Sequence, residues 1–104
     1  MVNYKNPLKI VFFGTPEFAR FCLQELFSKG FIIKAVVTVP DRKAGRGNKY
    51  KKSAVKSYAE NNGFLIFQPR NLKSVEFIKD LRRIGADAFV VVAFRMLPKV
   101  VWNI

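Results

Sequence analysis

The feature that most constrains this chain is a repeated pattern in which a short apolar run ends in a turn and leads into an amphipathic helix. Leu8-Lys9-Ile10-Val11-Phe12-Phe13 is β-rich and closed by Gly14, as expected of a strand buried on both faces of a parallel sheet. Thr15 is placed to cap the helix that follows, Pro16 to open it and Glu17 to favour its positive end. Phe18, Ala19, Cys22, Leu23 and Leu26 then fall on one helical face, and Gly30 ends the helix. The pattern returns with a strand from Phe31 to Thr38 and a helix capped by Ser53, carrying Val55, Tyr58 and Ala59 and stopping at Gly63. It returns again from Leu65-Ile66-Phe67 into a helix from Val75 to Ile84, capped by Ser74 and closed by Gly85, with Phe77, Ile78 and Leu81 at helical spacing. Ala88 to Ala93 reads as a central strand, and Pro98 opens a short helical turn.

The order β-α-β-α-β-α-β demands right-handed crossovers and a parallel sheet, because each crossover lays its helix on a face of the sheet. The expected fold class is therefore α/β, a Rossmann-like open parallel sheet. Ligands of such sheets bind outside the carboxyl ends of the strands, which gathers Gly14 to Pro16, Thr38 to Asp41, Gln68 to Pro69 and Phe94 to Pro98 on one rim. Four strands are few. If the last lies beside the first, its far edge is unpaired, and self-association through that edge is a candidate. The expectation is that residues 1–104 are the N-terminal portion of a larger Rossmann-like domain, truncated after its fourth strand and without a C-terminal domain.

A chain of 104 residues that is half apolar can build one core without metal or disulfide staples. Its single cysteine, Cys22, sits on the apolar face of the first helix and forms no internal disulfide. The absence of histidine excludes a Ser-His-Asp triad, an imidazole base and histidine-bearing zinc sites within this chain, and no metal is expected. No window approaches the roughly 18 apolar residues of a membrane span, and no signal peptide opens the chain, so no membrane partner and a cytoplasmic location are expected.

Charge points to a partner. Nineteen Lys and Arg against seven Asp and Glu give +12, and residues 41–56 alone carry seven bases and one acid. The basic loop 41–52 holds Arg42, Lys43, Arg46, Lys49, Lys51 and Lys52, with Gly45 and Gly47 to let it adapt and Tyr50 to stack on a base or ribose. A solvated loop serving solubility is the plain alternative, though it does not account for the concentration of charge. The turn Gly14-Thr15-Pro16 puts a helix N-terminus at a strand end, where an anion or polar ligand can be received, or it is simply a tight turn. It is not GxGxxG, since positions 16 and 19 are proline and alanine, and no GxxxxGK[ST] occurs, so nucleotide readings lose their main support. Phe94-Arg95-Met96-Leu97 follows the last strand with exposed backbone and apolar side chains suited to a flat aromatic ligand, or to core packing.

Several blocks in order identify more: Val11-Phe12-Phe13-Gly14-Thr15-Pro16-Glu17-Phe18-Ala19, then Val37-Thr38-Val39-Pro40-Asp41-Arg42 with Gly45-Arg46-Gly47, then Val55-Lys56 and Phe67-Gln68-Pro69. From about residue 8 to its last residue the chain resembles the N-terminal part of the methionyl-tRNA formyltransferase family. The resemblance implies transfer of a formyl group from 10-formyltetrahydrofolate to the α-amino group of methionine on initiator tRNA. It makes Arg42, Lys43, Arg46, Lys49, Lys51 and Lys52 tRNA contacts, with Arg42 foremost because it falls in the matching Pro-Asp-Arg block. It assigns Phe94, Arg95, Met96 and Leu97 to the folate pocket, although the loop is one residue shorter than the family's Ala-Tyr-Gly-x-Ile-Leu-Pro. Gly14, Thr15 and Pro16 would border the aminoacyl end. The family's catalytic Asn-x-His and later aspartate have no counterpart up to Ile104, so the chain is expected to hold no catalytic residue and to be inactive alone. The alternatives are a formyltransferase acting on a small amine, against which the basic loop argues, and a non-catalytic nucleic-acid-binding module, against which the folate-like segment argues. A dinucleotide-dependent reductase lacks the glycine fingerprint.

Overall fold

A computed structural model describes residues 7–43 and 50–103. Its elements are β1 (Lys9–Gly14), α1 (Glu17–Ser28), β2 (Ile32–Val37), β3 (Arg42–Lys43), β4 (Tyr50–Lys51), α2 (Ala54–Asn61), β5 (Ile66–Phe67), α3 (Val75–Ile84), β6 (Ala88–Val92) and α4 (Lys99–Trp102). Four parallel strands form the main sheet in the order β5-β2-β1-β6, the α/β, Rossmann-like arrangement expected, with the last strand beside the first.

The strand period of two divides β1 between two cores. Val11 and Phe13 face α3, packing with Phe77, Ile78, Leu81 and Val101, while Ile10 and Phe12 face α1 and α2, packing with Ala19, Leu23, Val55 and Ala59. β2 serves both cores by an irregularity. Its register against β1 passes from Ile33 to Ala35, skipping the exposed Lys34, so that Ile33 joins Val36 on one face while Ala35 and Val37 share the other. Strict alternation would have put Ile33 with Ala35 and Val37, leaving Lys34 aimed into the core that Val36 occupies.

Ser53 caps α2 as its position predicts, its Oγ accepting from the Lys56 backbone N–H at 3.0 Å, and Gly85 closes α3 at φ 64°, a left-handed conformation that favours glycine. Other expectations need correction. Thr15 does not cap α1: Pro16 occupies the cap position and provides no side-chain bond, because the helix begins one residue later than the capping pattern suggests. Phe18 lies 69% exposed; the buried stripe of α1 is narrower than the apolar spacing and is centred on Ala19 and Leu23. Ser74 stands at the start of α3 without making a side-chain cap bond. β6, whose apolar run reads as central, is an outer strand of the sheet among the described residues, with Val91 45% exposed; it lies beside β1 with its far edge unpaired, as the doubly wound order predicts. The basic segment is not wholly loop, since β3 and β4 pair antiparallel, Arg42 opposite Lys51 and Lys43 opposite Tyr50. Among the described residues no helix is long and apolar enough to cross a membrane.

Candidate functional site

The carboxyl ends of β1, β2, β5 and β6 meet on one rim, as parallel strands require. At its centre is Gly14. A Cβ there would lie 2.7 Å from Ala19 Cβ, 2.7 Å from the Phe12 ring and 3.0 Å from the Val92 carbonyl oxygen, so only glycine lets α1 start this close to β1 and β6. The turn that follows reaches α2, whose Val55 N–H donates to the Thr15 carbonyl at 3.5 Å. Among the described residues the Thr15 hydroxyl is shielded from solvent and has no hydrogen-bond partner. Thr15 and Pro16 line a cleft of about 650 Å³ together with Glu17 and with Arg42, Lys43, Lys51 and Lys52 of the basic ribbon. Two segments assigned separately from sequence thus share one cavity. Arg46 and Lys49, the other two predicted contacts, lie outside the described residues.

Both stems of the ribbon are pinned to the rim. On the entering side, the Lys56 ammonium donates to both carboxylate oxygens of Asp41 at 2.8 and 3.0 Å, and Gln68 Nε2 donates to Asp41 at 2.8 Å and to the Val39 carbonyl at 3.1 Å. The Lys56 and Gln68 hydrogen bonds, in that order, hold the Asp41 carboxyl below its usual value against a smaller opposing effect of burial. On the leaving side, the Ser53 and Thr38 hydroxyls meet at 2.8 Å, and Thr38 is fully buried. One chain of polar contacts therefore joins β2, the ribbon, α2 and the end of β5. None of Asp41, Lys56 and Gln68 was singled out from sequence as a working side chain. The available signal was that all three stand in the blocks that carry the family resemblance.

The ribbon's outer residues face solvent. Lys52 Nζ donates to Glu60 Oε1 at 2.8 Å, and this bond raises the lysine's pKa. Arg42, Lys43 and Lys51 are exposed and make no ion pair among the described residues. Such side chains are free to meet phosphates.

At the far side of the rim, Ala93 adopts φ 50° and turns the chain out of β6. Phe94 turns inward, packing edge-on against Phe13 with ring centroids 5.7 Å apart. Arg95 lies over the Phe94 ring at 5.0 Å and donates to the Pro69 and Arg70 carbonyls at 2.9 and 3.3 Å, so its guanidinium ties the end of β6 to the end of β5. Burial lowers its pKa, and its Nε has no partner among the described residues. Leu97 packs toward the core, while Met96 is 93% exposed beside a cleft of about 560 Å³ lined also by Leu72, Lys73 and Pro98. The four residues assigned to the folate pocket therefore divide: Phe94 and Leu97 build, Arg95 braces and Met96 presents an open apolar surface. Among the described residues, Phe94 to Leu97 enter no main-chain hydrogen bond, which leaves polar backbone groups along this segment for a ligand.

Comparison with known proteins matches residues 8–103 to the family model described as formyl transferase. The chain is 50% identical over 99 residues to a methionyl-tRNA formyltransferase of Bacteroides fragilis, covering 95% of this chain and 31% of that protein. A methionyl-tRNA formyltransferase of Flavobacterium johnsoniae is 48% identical over 96 residues, covering 92% of this chain and 30% of the relative. That of Porphyromonas gingivalis is 46% identical over 99 residues, with coverage of 95% and 31%. The chain thus spans about a third of the length of the curated relatives it matches.

Proposed function

The chain belongs to the formyl transferase family, and from that premise we propose that it supplies the tRNA-facing rim of a cytoplasmic methionyl-tRNA formyltransferase. In this reading 10-formyltetrahydrofolate supplies the formyl carbon: the methionyl amine bonds to it, the bond from that carbon to the folate nitrogen breaks, and the proton the amine gives up is matched by one taken up on the departing folate nitrogen. The residues of this chain bind and orient. Arg42, Lys43, Lys51 and Lys52, with Arg46 and Lys49, take the phosphates of the acceptor arm, and the cleft that Arg42, Lys43, Lys51 and Lys52 share with Thr15 and Pro16 receives the aminoacyl end. The unpartnered Thr15 hydroxyl suits a polar group arriving there. The backbone and exposed apolar surface of Phe94 to Leu97 suit the polar edge and flat face of a pterin, with Arg95 as brace rather than ligand.

The carrying observation is the common cleft of the basic ribbon and the β1–α1 turn at the strand ends. A small amine would need no row of exposed cations leading up to its pocket. The test is equilibrium binding of initiator methionyl-tRNA at increasing salt. The expected result is an affinity that falls log-linearly, with a slope of roughly −0.7 to −0.9 per phosphate contacted, the range from single strands to duplex. Folded protein that binds this tRNA without salt dependence, or fails to bind it, overturns the reading.

A further inference from the structure

Beside the main cleft, toward β5 and β6, lies a smaller one of about 310 Å³ lined by Val39, Pro40, Asp41, Arg42, Arg70 and Arg95. Three arginines converge there. The only carboxylate among them, Asp41, is already held by Lys56 and Gln68, so it neutralises none of the three. Arg95 is a fixed cation, both its terminal nitrogens donating to the carbonyls of Pro69 and Arg70. Through the second of these bonds it also fixes the backbone from which the Arg70 side chain projects. Arg42 and Arg70 are exposed, and neither has an ion-pair partner among the described residues. Like charges gathered around a small cleft repel one another, and an anion seated between them reverses that cost.

We propose that Arg42 and Arg70 form a two-arginine clamp for one phosphodiester of the RNA, held above the fixed charge of Arg95. This rests on the tRNA reading and adds to it a residue from the opposite side of the rim. Guanidinium forks suit a phosphate's paired oxygens better than an ammonium does. RNA is favoured over a lone small-molecule carboxylate because the cations continue outward from Arg42 through Lys43 and Lys51, a row that a single anion would leave unmatched. The clamp also gives a role to the Asp41 pin, which fixes the backbone next to Arg42, while Lys56 offsets the charge of this one carboxylate in the cleft lining.

The experiment measures binding of initiator methionyl-tRNA to the wild-type chain, Arg70→Ala, Arg42→Ala, the double variant and Arg70→Lys across a salt series, with circular dichroism as the folding control. Arg70 lends its carbonyl, not its side chain, to the fold, so Arg70→Ala is expected to stay folded. The clamp predicts that Arg70→Ala weakens binding about tenfold and lowers the salt slope by about one. It also predicts that the double variant loses less than the two single losses combined, because both side chains serve one phosphate, and that Arg70→Lys restores the slope but only part of the affinity. Unchanged binding by Arg70→Ala, while Arg42→Ala binds weakly, overturns the clamp and leaves the functional reading standing. Strictly additive losses place Arg70 on a separate phosphate and also overturn it. If Arg70→Ala instead weakens binding of a polyglutamylated folate and spares tRNA, the site holds a carboxylate and the clamp is overturned. Failure of the wild-type chain to bind tRNA overturns the functional reading and the clamp together.

Discussion

The centre of the sheet and the basic ribbon stand side by side on the same rim and are built on opposite principles. From Ile10 to Phe13 and from Ala35 to Val37 every side chain is buried and apolar, and the strands are paired on both sides. Among the described residues the ribbon has two residue pairs, all four of the paired side chains exposed and three of them cationic. Burial stabilises the first region; the second contributes little apolar burial and is held by its stems. If the ribbon binds RNA as proposed, stability and binding are carried by different residues, and substitutions should separate them.

The largest expected effect is at the sheet centre. Phe12→Ala removes a fully buried ring from the core under α1 and α2 and is expected to cost about 3–5 kcal/mol, read by denaturant unfolding. Whatever fraction stays folded should keep the wild-type salt slope for tRNA. A changed slope in folded protein would mean that the core also shapes the ribbon. The reverse experiment changes Arg42, Arg46 and Lys49 together to glutamate. It is expected to weaken tRNA binding roughly a hundredfold or more and to flatten its salt dependence, with the unfolding midpoint unmoved or raised by relief of repulsion. A loss of stability as large as that of Phe12→Ala would break the division between the regions.

How far the sequence disclosed these regions follows from the range of the forces that build them. The sheet centre was legible because burial on both faces leaves a local mark, an unbroken apolar run closed by glycine at Gly14. The α2 cap at Ser53 and the stop at Gly85 were legible for the same reason, since each acts within one turn of its own position. The edge position of β6 among the described residues was legible only through the doubly wound order, which sets the last strand beside the first with its far edge unpaired: the run from Ala88 to Val92 is itself as apolar as an inner strand. Phe18 misled because its spacing fits the helical stripe while its direction does not. Within the site, charge concentration disclosed the ribbon, but the Asp41 pin joins residues 15 and 27 positions apart, and no local signal pairs them. The bracing role of Arg95 was hidden likewise, because its partners are the carbonyls of Pro69 and Arg70.

The pin belongs to both regions, so its disruption should show in both measurements at intermediate size. Asp41→Asn leaves the Lys56 ammonium without its counter-charge and is expected to cost about 1–2 kcal/mol, with weaker tRNA binding through loss of a fixed ribbon stem. The pH dependence carries the sign. The carboxyl is held below its usual value of 3.8, so its contribution is complete at neutral pH and is lost as pH falls through the native-state pKa. Wild-type protein should therefore lose stability to acid over that range more steeply than Asp41→Asn, and parallel acid profiles would refute the pin.

The smallest expected effect tests whether the ribbon's charge is fully available. Glu60 projects from α2 and accepts from Lys52, so one cation of the row proposed to meet phosphates is already partnered. The pair is exposed, and such pairs add little to stability. Its influence on binding has a definite direction, because RNA must compete with Glu60 for Lys52 and also approach the glutamate's own negative charge. Glu60→Gln should tighten tRNA binding about two- to threefold and steepen the salt slope slightly, with no measurable change in unfolding. The same bond raises the Lys52 pKa, so the ion pair persists at neutral pH and is lost as pH rises through the native-state value. An affinity that stays put in Glu60→Gln, in a chain whose binding otherwise follows ribbon charge, would remove Lys52 from the contact set and draw the RNA path toward Arg42 and the strand ends.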